Sequence, residues 1–157
     1  KGHIAVALFK LNKNSYGDKI DQSARKFLRD VNLDYPHGTG HGVGYFGNVH
    51  EGPQAISRGN KVKFKEGMIT SNEPGYYKKG HFGIRIENLV YVKRTKDKLK
   101  FEDLTLVPID KTLIEKKLLT SSERHWLNKY HQRVFVCLKK YMNKLELTQL
   151  KLACSDI

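Results

Sequence analysis

The chain is poor in several things that carry information. Its 157 residues include only two cysteines, Cys137 and Cys154, which lie near the C-terminus without metal-ligand spacing. They build no disulfide framework, so a reducing cytoplasm is the expected home. No apolar run approaches the ~20 residues that a membrane-spanning helix needs, and no membrane partner is expected. No cleavage pattern follows the N-terminal stretch Lys1-Gly-His-Ile-Ala-Val-Ala-Leu-Phe9, which argues against a signal peptide. That stretch also lacks an initiating Met and a capping residue, yet Ile4, Leu8 and Leu11 already mark a helical stripe. The expectation is a fragment that begins inside a helix, or the second half of a split protein. Acidic residues are scarce, with 16 Asp and Glu against 29 Lys and Arg and a formal net charge of +13. Such an excess suits nucleic acid or another anionic surface. It also suits a lysine-rich proteome, or an acidic segment that is missing. The lysines are spread along the whole chain, through Lys10 to Lys151, with no basic block interleaved with aromatics. The second explanation is therefore preferred, and no nucleic-acid partner is expected.

What remains is ordinary soluble material. A chain that is 39% hydrophobic and 29% charged suits one domain burying roughly 70% of its unfolded surface. Residues 1–12 read as a helix remnant. Asp18 or Asp21 caps a second helix reaching about Asn32, with Ile20, Ala24, Phe27, Leu28 and Val31 on its apolar side. Pro36 breaks it, because the residue before proline disfavours helix. From His37 to about Pro108 the pattern is β, with strands over 68–73, 83–92 and 101–109. Thr120, Ser121 or Ser122 starts a long amphipathic helix carrying Leu127, Tyr130, Val134, Leu138, Tyr141 and Leu145, with Trp126 as its core anchor and Cys137 as packing. Residues 146–157 read as a polar, frayed tail, leaving 1–145 as the functional domain.

Chemistry concentrates in the middle. Glycines at 38, 40, 42 and 44 alternate with His37, Thr39, His41 and Val43. Each glycine would cost about 1 kcal/mol in a helix. Period two instead suits a strand with one bare face, which another backbone or a substrate approaches closely. Four residues of extended chain span about 13 Å, so His37 and His41 do not share one ion. One is a ligand candidate and the other touches substrate farther along the cleft. Glu73 and Glu87 are symmetric about Gly80, so a hairpin turning there sets the two acids opposite each other. Like charges so placed are destabilising, and a divalent cation relieves the conflict. Together with His41 they form an imidazole-plus-carboxylate set suited to a water-activating metal. Arg85, two residues from Glu87, orients that carboxylate. The alternative is a solvated pair of glutamates neutralised by Arg85 alone. Gly42-Val-Gly-Tyr-Phe-Gly47 matches a dinucleotide-binding pattern but is followed by Asn48-Val-His-Glu-Gly-Pro53 rather than by a helix, so it is a decoy. His50 is a candidate contact to a substrate carbonyl or amide, or else a satisfied structural histidine. His3, His81, His125 and His131 are read as structural.

His37-Gly-Thr-Gly-His-Gly-Val-Gly44, Asn48-Val-His-Glu-Gly-Pro53, Ser71-Asn-Glu-Pro-Gly-Tyr-Tyr77 and Gly83-Ile-Arg-Ile-Glu-Asn88 together resemble successive blocks of the Xaa-Pro aminopeptidases. Leu104-Thr-Leu-Val-Pro-Ile109 and Trp126-Leu-Asn-Lys-Tyr-His131 resemble that family's C-terminal blocks. The resemblance implies an α+β chain: the second half of a pita-bread fold, with a curved antiparallel sheet, helices on one side and a C-terminal helix. It implies hydrolysis of peptides with proline at the second position, using two divalent ions, usually manganese. By the same resemblance His41 and Glu73 ligate one metal and Glu87 bridges both. His37, His50 and Arg85 face the substrate. Glu73 takes the proton of the attacking water, and His50 stabilises charge on the carbonyl oxygen. The family also uses an aspartate pair on a strand of its first half. Asp18, Asp21, Asp30 and Asp34 lie in or beside the second helix and do not supply it. The chain alone is therefore expected to hold at most one weak metal site and to be inactive without a missing N-terminal half or a companion chain. A homodimer is a further candidate assembly. The alternative is a non-catalytic pita-bread module that binds peptides or proteins.

Overall fold

Helix α2 (Gly17–Arg29) is the first long element, and its sequence places two kinds of residue inward. Ile20 and Ala24 enter the core, while Asp21 and Arg25, four apart, form a buried ion pair at 2.8 Å. Losing one member of such a pair costs roughly 3–5 kcal/mol, because the other stays buried and charged. The expected aspartate cap is not used. Tyr16 is the N-cap without a side-chain bond, and Asp18 instead accepts the Gly59 N–H at 3.0 Å. Nor does Pro36 end the helix. The helix ends at Arg29 with Asp30 as its C-cap, Asn32 follows in the left-handed region with φ of 60°, and Val31 is exposed.

A computed structural model describes residues 1–12 and 14–157, which divide into two compact units, Lys1–Thr105 and Leu106–Ile157. In the first unit, α1 (Gly2–Ala7) buries His3, Ile4 and Val6. Its Gly2 lies so close to the Ala24 carbonyl oxygen that a Cβ would fall 2.6 Å from it. The helix is shorter than the stripe suggests, since Leu8 is exposed and Leu11 bridges to Leu99 instead. The core gathers Val6, Leu11, Ile20, Ala24, Ile56, Phe64, Val90, Val92 and Phe101.

The β region is antiparallel throughout. β1 (Gly40–His41) pairs β2 (Ala55–Ile56). β3 (Ile69–Asn72), β6 (Asn88–Thr95) and β7 (Lys98–Asp103) form one sheet in the order β3-β6-β7, and β4 (Gly75–Lys78) pairs β5 (Phe82–Arg85). The glycine run contributes only two residues of regular strand, fewer than its alternation predicts. Its bare face is nevertheless filled by backbone. A Cβ on Gly40 would fall 1.9 Å from the Ser71 carbonyl oxygen, and one on Gly42 would fall 2.0 Å from that of Glu51. The strand expected over 101–109 stops at Asp103.

In the second unit, α3 (Ser121–Leu138) begins with a capping box between Thr120 and Glu123. Trp126 stacks on Tyr130 with ring centroids 5.5 Å apart. The buried His131 accepts the Ile109 N–H at 3.1 Å, and burial lowers its pKa. Tyr141 and Leu145, expected on this helix, lie beyond its end and are exposed. Residues 146–157 are not a frayed tail. α4 (Lys144–Ala153) starts from a second capping box, Asn143 with Glu146. Leu150 and Cys154, four apart, pack with Tyr130 and Val134, and that contact outweighs the polar composition. Both cysteines are free thiols. Among the described residues no helix is long and apolar enough to cross a membrane.

Two stability tests follow from this packing. Gly40→Ala forces a methyl against the Ser71 carbonyl and is expected to cost about 2–3 kcal/mol in urea unfolding; an unchanged midpoint would contradict the close approach. Burial lowers the His3 pKa from 6.5 to about 4. The unfolded chain therefore binds the extra proton first. This contribution is fully present above pH 6.5 and is lost as pH falls toward 4, about 3 kcal/mol in all. Urea midpoints measured across that window are expected to fall in the wild type and to fall less in His3→Gln.

Candidate functional site

The centre of the site is a ladder that breaks without losing register. Asn72 is opposite Asn88 in β3–β6, and Gly75 is opposite Arg85 in β4–β5. Both ladders belong to one hairpin about Gly80, so Glu73 and Glu87 fall opposite each other in the gap between them. Pro74 has no N–H to donate, and the Glu73 N–H turns away to the Thr39 carbonyl at 2.8 Å. Glu73 is thereby drawn inward and is only 8% exposed, whereas the Glu87 side chain is 44% exposed.

His41 reaches Glu73 through two links. Its backbone N–H donates to Ser71 Oγ at 2.9 Å, and that hydroxyl donates to Glu73 Oε1 at 2.8 Å. The His41 ring bonds through Nδ1 to the Gly42 carbonyl at 3.0 Å, and Nε2 lies 3.2 Å from Glu73 Oε1. A carbonyl only accepts, so Nδ1 carries the proton. In the neutral ring the Nε2 lone pair then faces a carboxylate oxygen, and a cation or a proton between them resolves the opposition. The donor types and this orientation fit a divalent transition metal.

Arg85 occupies the other side of the carboxylates. Its Nη1 is 3.2 Å from Glu73 Oε2 and 3.6 Å from Glu87 Oε2. Its Nε donates to the Tyr77 hydroxyl at 2.8 Å, and that bond, followed by attraction to the glutamates, raises the Arg85 pKa further. Because Arg85 donates to the Tyr77 oxygen, the hydroxyl proton points to His37 Nε2, 2.9 Å away, while His37 Nδ1 donates to the Gly38 carbonyl at 2.7 Å. The His50 ring packs on His41 with centroids 4.0 Å apart.

His37, His41, His50, Glu73, Arg85 and Glu87 thus form one continuous chain of contacts within the first unit. The structure joins His41 and Glu73 directly, and Glu87 through Arg85. Among the described residues, no three His, Cys, Asp or Glu side chains gather closely enough to share an ion. Sequence reasoning missed Ser71, which links His41 to Glu73, and Tyr77, which links His37 to Arg85. The signal for Tyr77 was available, since the Gly80 hairpin sets it diagonally across from Arg85.

Residues 3–94 match the model of metallopeptidase family M24, and residues 97–157 match the C-terminal region of that family. The chain belongs to metallopeptidase family M24. Among its M24 relatives is a protein of Botryotinia fuckeliana named "Probable Xaa-Pro aminopeptidase P", 45% identical over 94% of this chain and 24% of its own length. Another of the same name, from Fusarium vanettenii, is 50% identical over 85% of the chain and 23% of its own length. The chain therefore spans about a quarter of the curated relatives it matches. The crystal structure of X-prolyl aminopeptidase from Caenorhabditis elegans, described as a cytosolic enzyme with a di-nuclear active site, superposes with a TM-score of 0.91. It is 39% identical and covers 99% of this chain and 27% of its own. X-Pro aminopeptidase from Thermotoga maritima superposes with a TM-score of 0.59 at 35% identity, over 68% of this chain and 29% of its own. The helices and antiparallel sheet of this M24 chain match the pita-bread fold, as the sequence blocks implied.

The Tyr77 bridge is testable by itself. Tyr77→Phe removes one acceptor from Arg85 and one donor from His37. A double-mutant cycle with His37→Phe is expected to give a coupling of about 0.5–1.5 kcal/mol in unfolding free energy; additive costs would mean the bridge contributes nothing.

Proposed function

We propose that this chain is the C-terminal part of a metal-dependent aminopeptidase that releases an N-terminal residue preceding proline. The observation that carries the reading is the approach of His41 Nε2 to Glu73 Oε1, with Nδ1 already committed to the Gly42 carbonyl. His41, Glu73 and Glu87 would hold the metal, with the missing aspartates supplied by an N-terminal half or companion chain. Two divalent ions, manganese by family resemblance, would supply acidification of a water and polarisation of the scissile carbonyl.

The chain's own residues do the rest. Glu73 accepts the water's proton on a carboxylate that Ser71 steadies. His50, beside His41, donates to the carbonyl oxygen as charge develops there. His37, oriented by Tyr77, and Arg85 hold the substrate. Activity belongs to the assembled enzyme, and the chain alone binds at most one ion weakly. A cytoplasmic location agrees with the scarcity of cysteine and with the cytosolic description of the Caenorhabditis elegans relative.

One observation favours a second reading. Arg85 already lies against both carboxylates, as it would in a non-catalytic module that binds peptides without cleaving them.

The two separate on reconstitution. Mixing this chain with a segment bearing the aspartate strand, in the presence of Mn²⁺, is expected to release the first residue of an Xaa-Pro peptide, and Glu87→Gln is expected to abolish release. Peptide binding with no hydrolysis would select the second reading. Full activity of the Glu87→Gln mixture would remove the assigned bridge.

A further inference from the structure

Outside the site, one buried cluster carries more groups than helix packing requires. Arg25, on α2, divides its guanidinium between Asp21 of its own helix and the segment that leads into the glycine run. Its Nε donates to Asp21 Oδ1 and Oδ2 at 2.9 and 2.8 Å. Its Nη1 donates to Asp34 Oδ1 at 2.6 Å and to the Tyr35 carbonyl at 2.8 Å, and Nη2 donates to the His37 carbonyl. The guanidinium carbon lies 3.9 Å from the Tyr35 ring centroid, and that ring in turn lies 4.9 Å from the His37 ring. The Thr39 hydroxyl donates to the same Asp21 carboxylate at 2.6 Å and takes the Tyr35 hydroxyl proton.

We propose that Arg25 is the positioning residue for His37, tying alternate residues 35, 37 and 39 to helix α2 so that the His37 imidazole is presented to Tyr77 in one tautomer. The inference goes beyond the aminopeptidase reading and rests on it only for what His37 then touches. Three features single out Arg25. Its donors end on the backbone of the very residue that bears the imidazole, so its loss frees the peptide and not merely a neighbour. The Asp21–Arg25 pair holds three positions of the segment at once, through the Tyr35 and His37 carbonyls and the Thr39 hydroxyl. The planar fork is also needed: it reaches two carboxylates and two carbonyls at once, which a single ammonium nitrogen does not. The clamp also reaches Glu73, because the Thr39 carbonyl accepts the Glu73 N–H.

The test reads histidine tautomers in the ¹⁵N-labelled chain by long-range ¹H–¹⁵N correlation and needs no catalytic activity. A failed hydrolysis assay therefore leaves it intact. Wild-type His37 is expected in the Nδ1–H form. Arg25→Lys keeps the charge beside Asp21 but loses the fork. It is expected to convert His37 to the mixed-tautomer pattern of the exposed His125, while His3, buried in the same unit, keeps its signal. An unchanged His37 signature in a variant whose His3 signal persists would overturn the proposal. If Arg25→Lys does not fold, Asp34→Asn decides in the same way. It removes the half-exposed support of Nη1 and leaves the buried pair, and a partial shift at His37 is expected. No shift there overturns the proposal equally.

Discussion

Two acids set opposite each other on one ladder need a positive charge between them, and much of the first unit is arranged around that need. The register continues from β3–β6 into β4–β5, so Glu73 and Glu87 cannot avoid one another by slipping. A slip of one residue would turn every side chain of the hairpin to the other face. Two devices meet the charge: Arg85 lies against both carboxylates, and Ser71 donates to one of them, whereas the His41 ring nitrogen facing the same oxygen adds to the need for a cation there. On the proposed reading a metal would draw its ligands from the same oxygens, so that structural neutralisation and metal binding would compete for them.

The glycine run works because other segments hold it from both sides. Gly40 and Gly42 admit the backbones of Ser71 and Glu51 at distances no side chain would allow. On the other side, the Asp21–Arg25 pair grips Tyr35, His37 and Thr39. That pair is expensive to bury, and its aspartate and guanidinium are matched bond for bond, which is the condition under which a buried ion pair persists. Helix α2 thus has two tasks: Ile20 and Ala24 supply core, and Asp21 and Arg25 supply order to the loop that follows.

Legibility varied with the range of the interaction. The Gly80 hairpin was readable because strand alternation and turn position act locally, and Glu73 and Glu87 came out opposite as their spacing implied. The start of α3 was readable to within Thr120, Ser121 or Ser122 for the same reason, and the capping box with Glu123 decided for Thr120 as its cap. The other helix limits were not. Asp18 was drawn away from capping by the distant Gly59 N–H, and the helix ended at Arg29, before Pro36 had any part in it. α4 was misjudged because a polar composition hid Leu150 and Cys154, whose spacing matters only once Tyr130 and Val134 are there to meet them.

By itself the sequence determined which chemical groups were on offer and which of them shared a face: the alternation of histidine and glycine, the symmetric acids and the nearby Arg85. Only the tertiary structure decided that His41 would meet Glu73, that His50 would lie on His41, and that Tyr77 would join His37 to Arg85. The reason is physical. Periodicity reports the faces of one element, whereas these meetings depend on how separate elements pack, through backbone contacts as close as that between Gly40 and Ser71 and through the buried charges that fasten α2 to the loop beyond it.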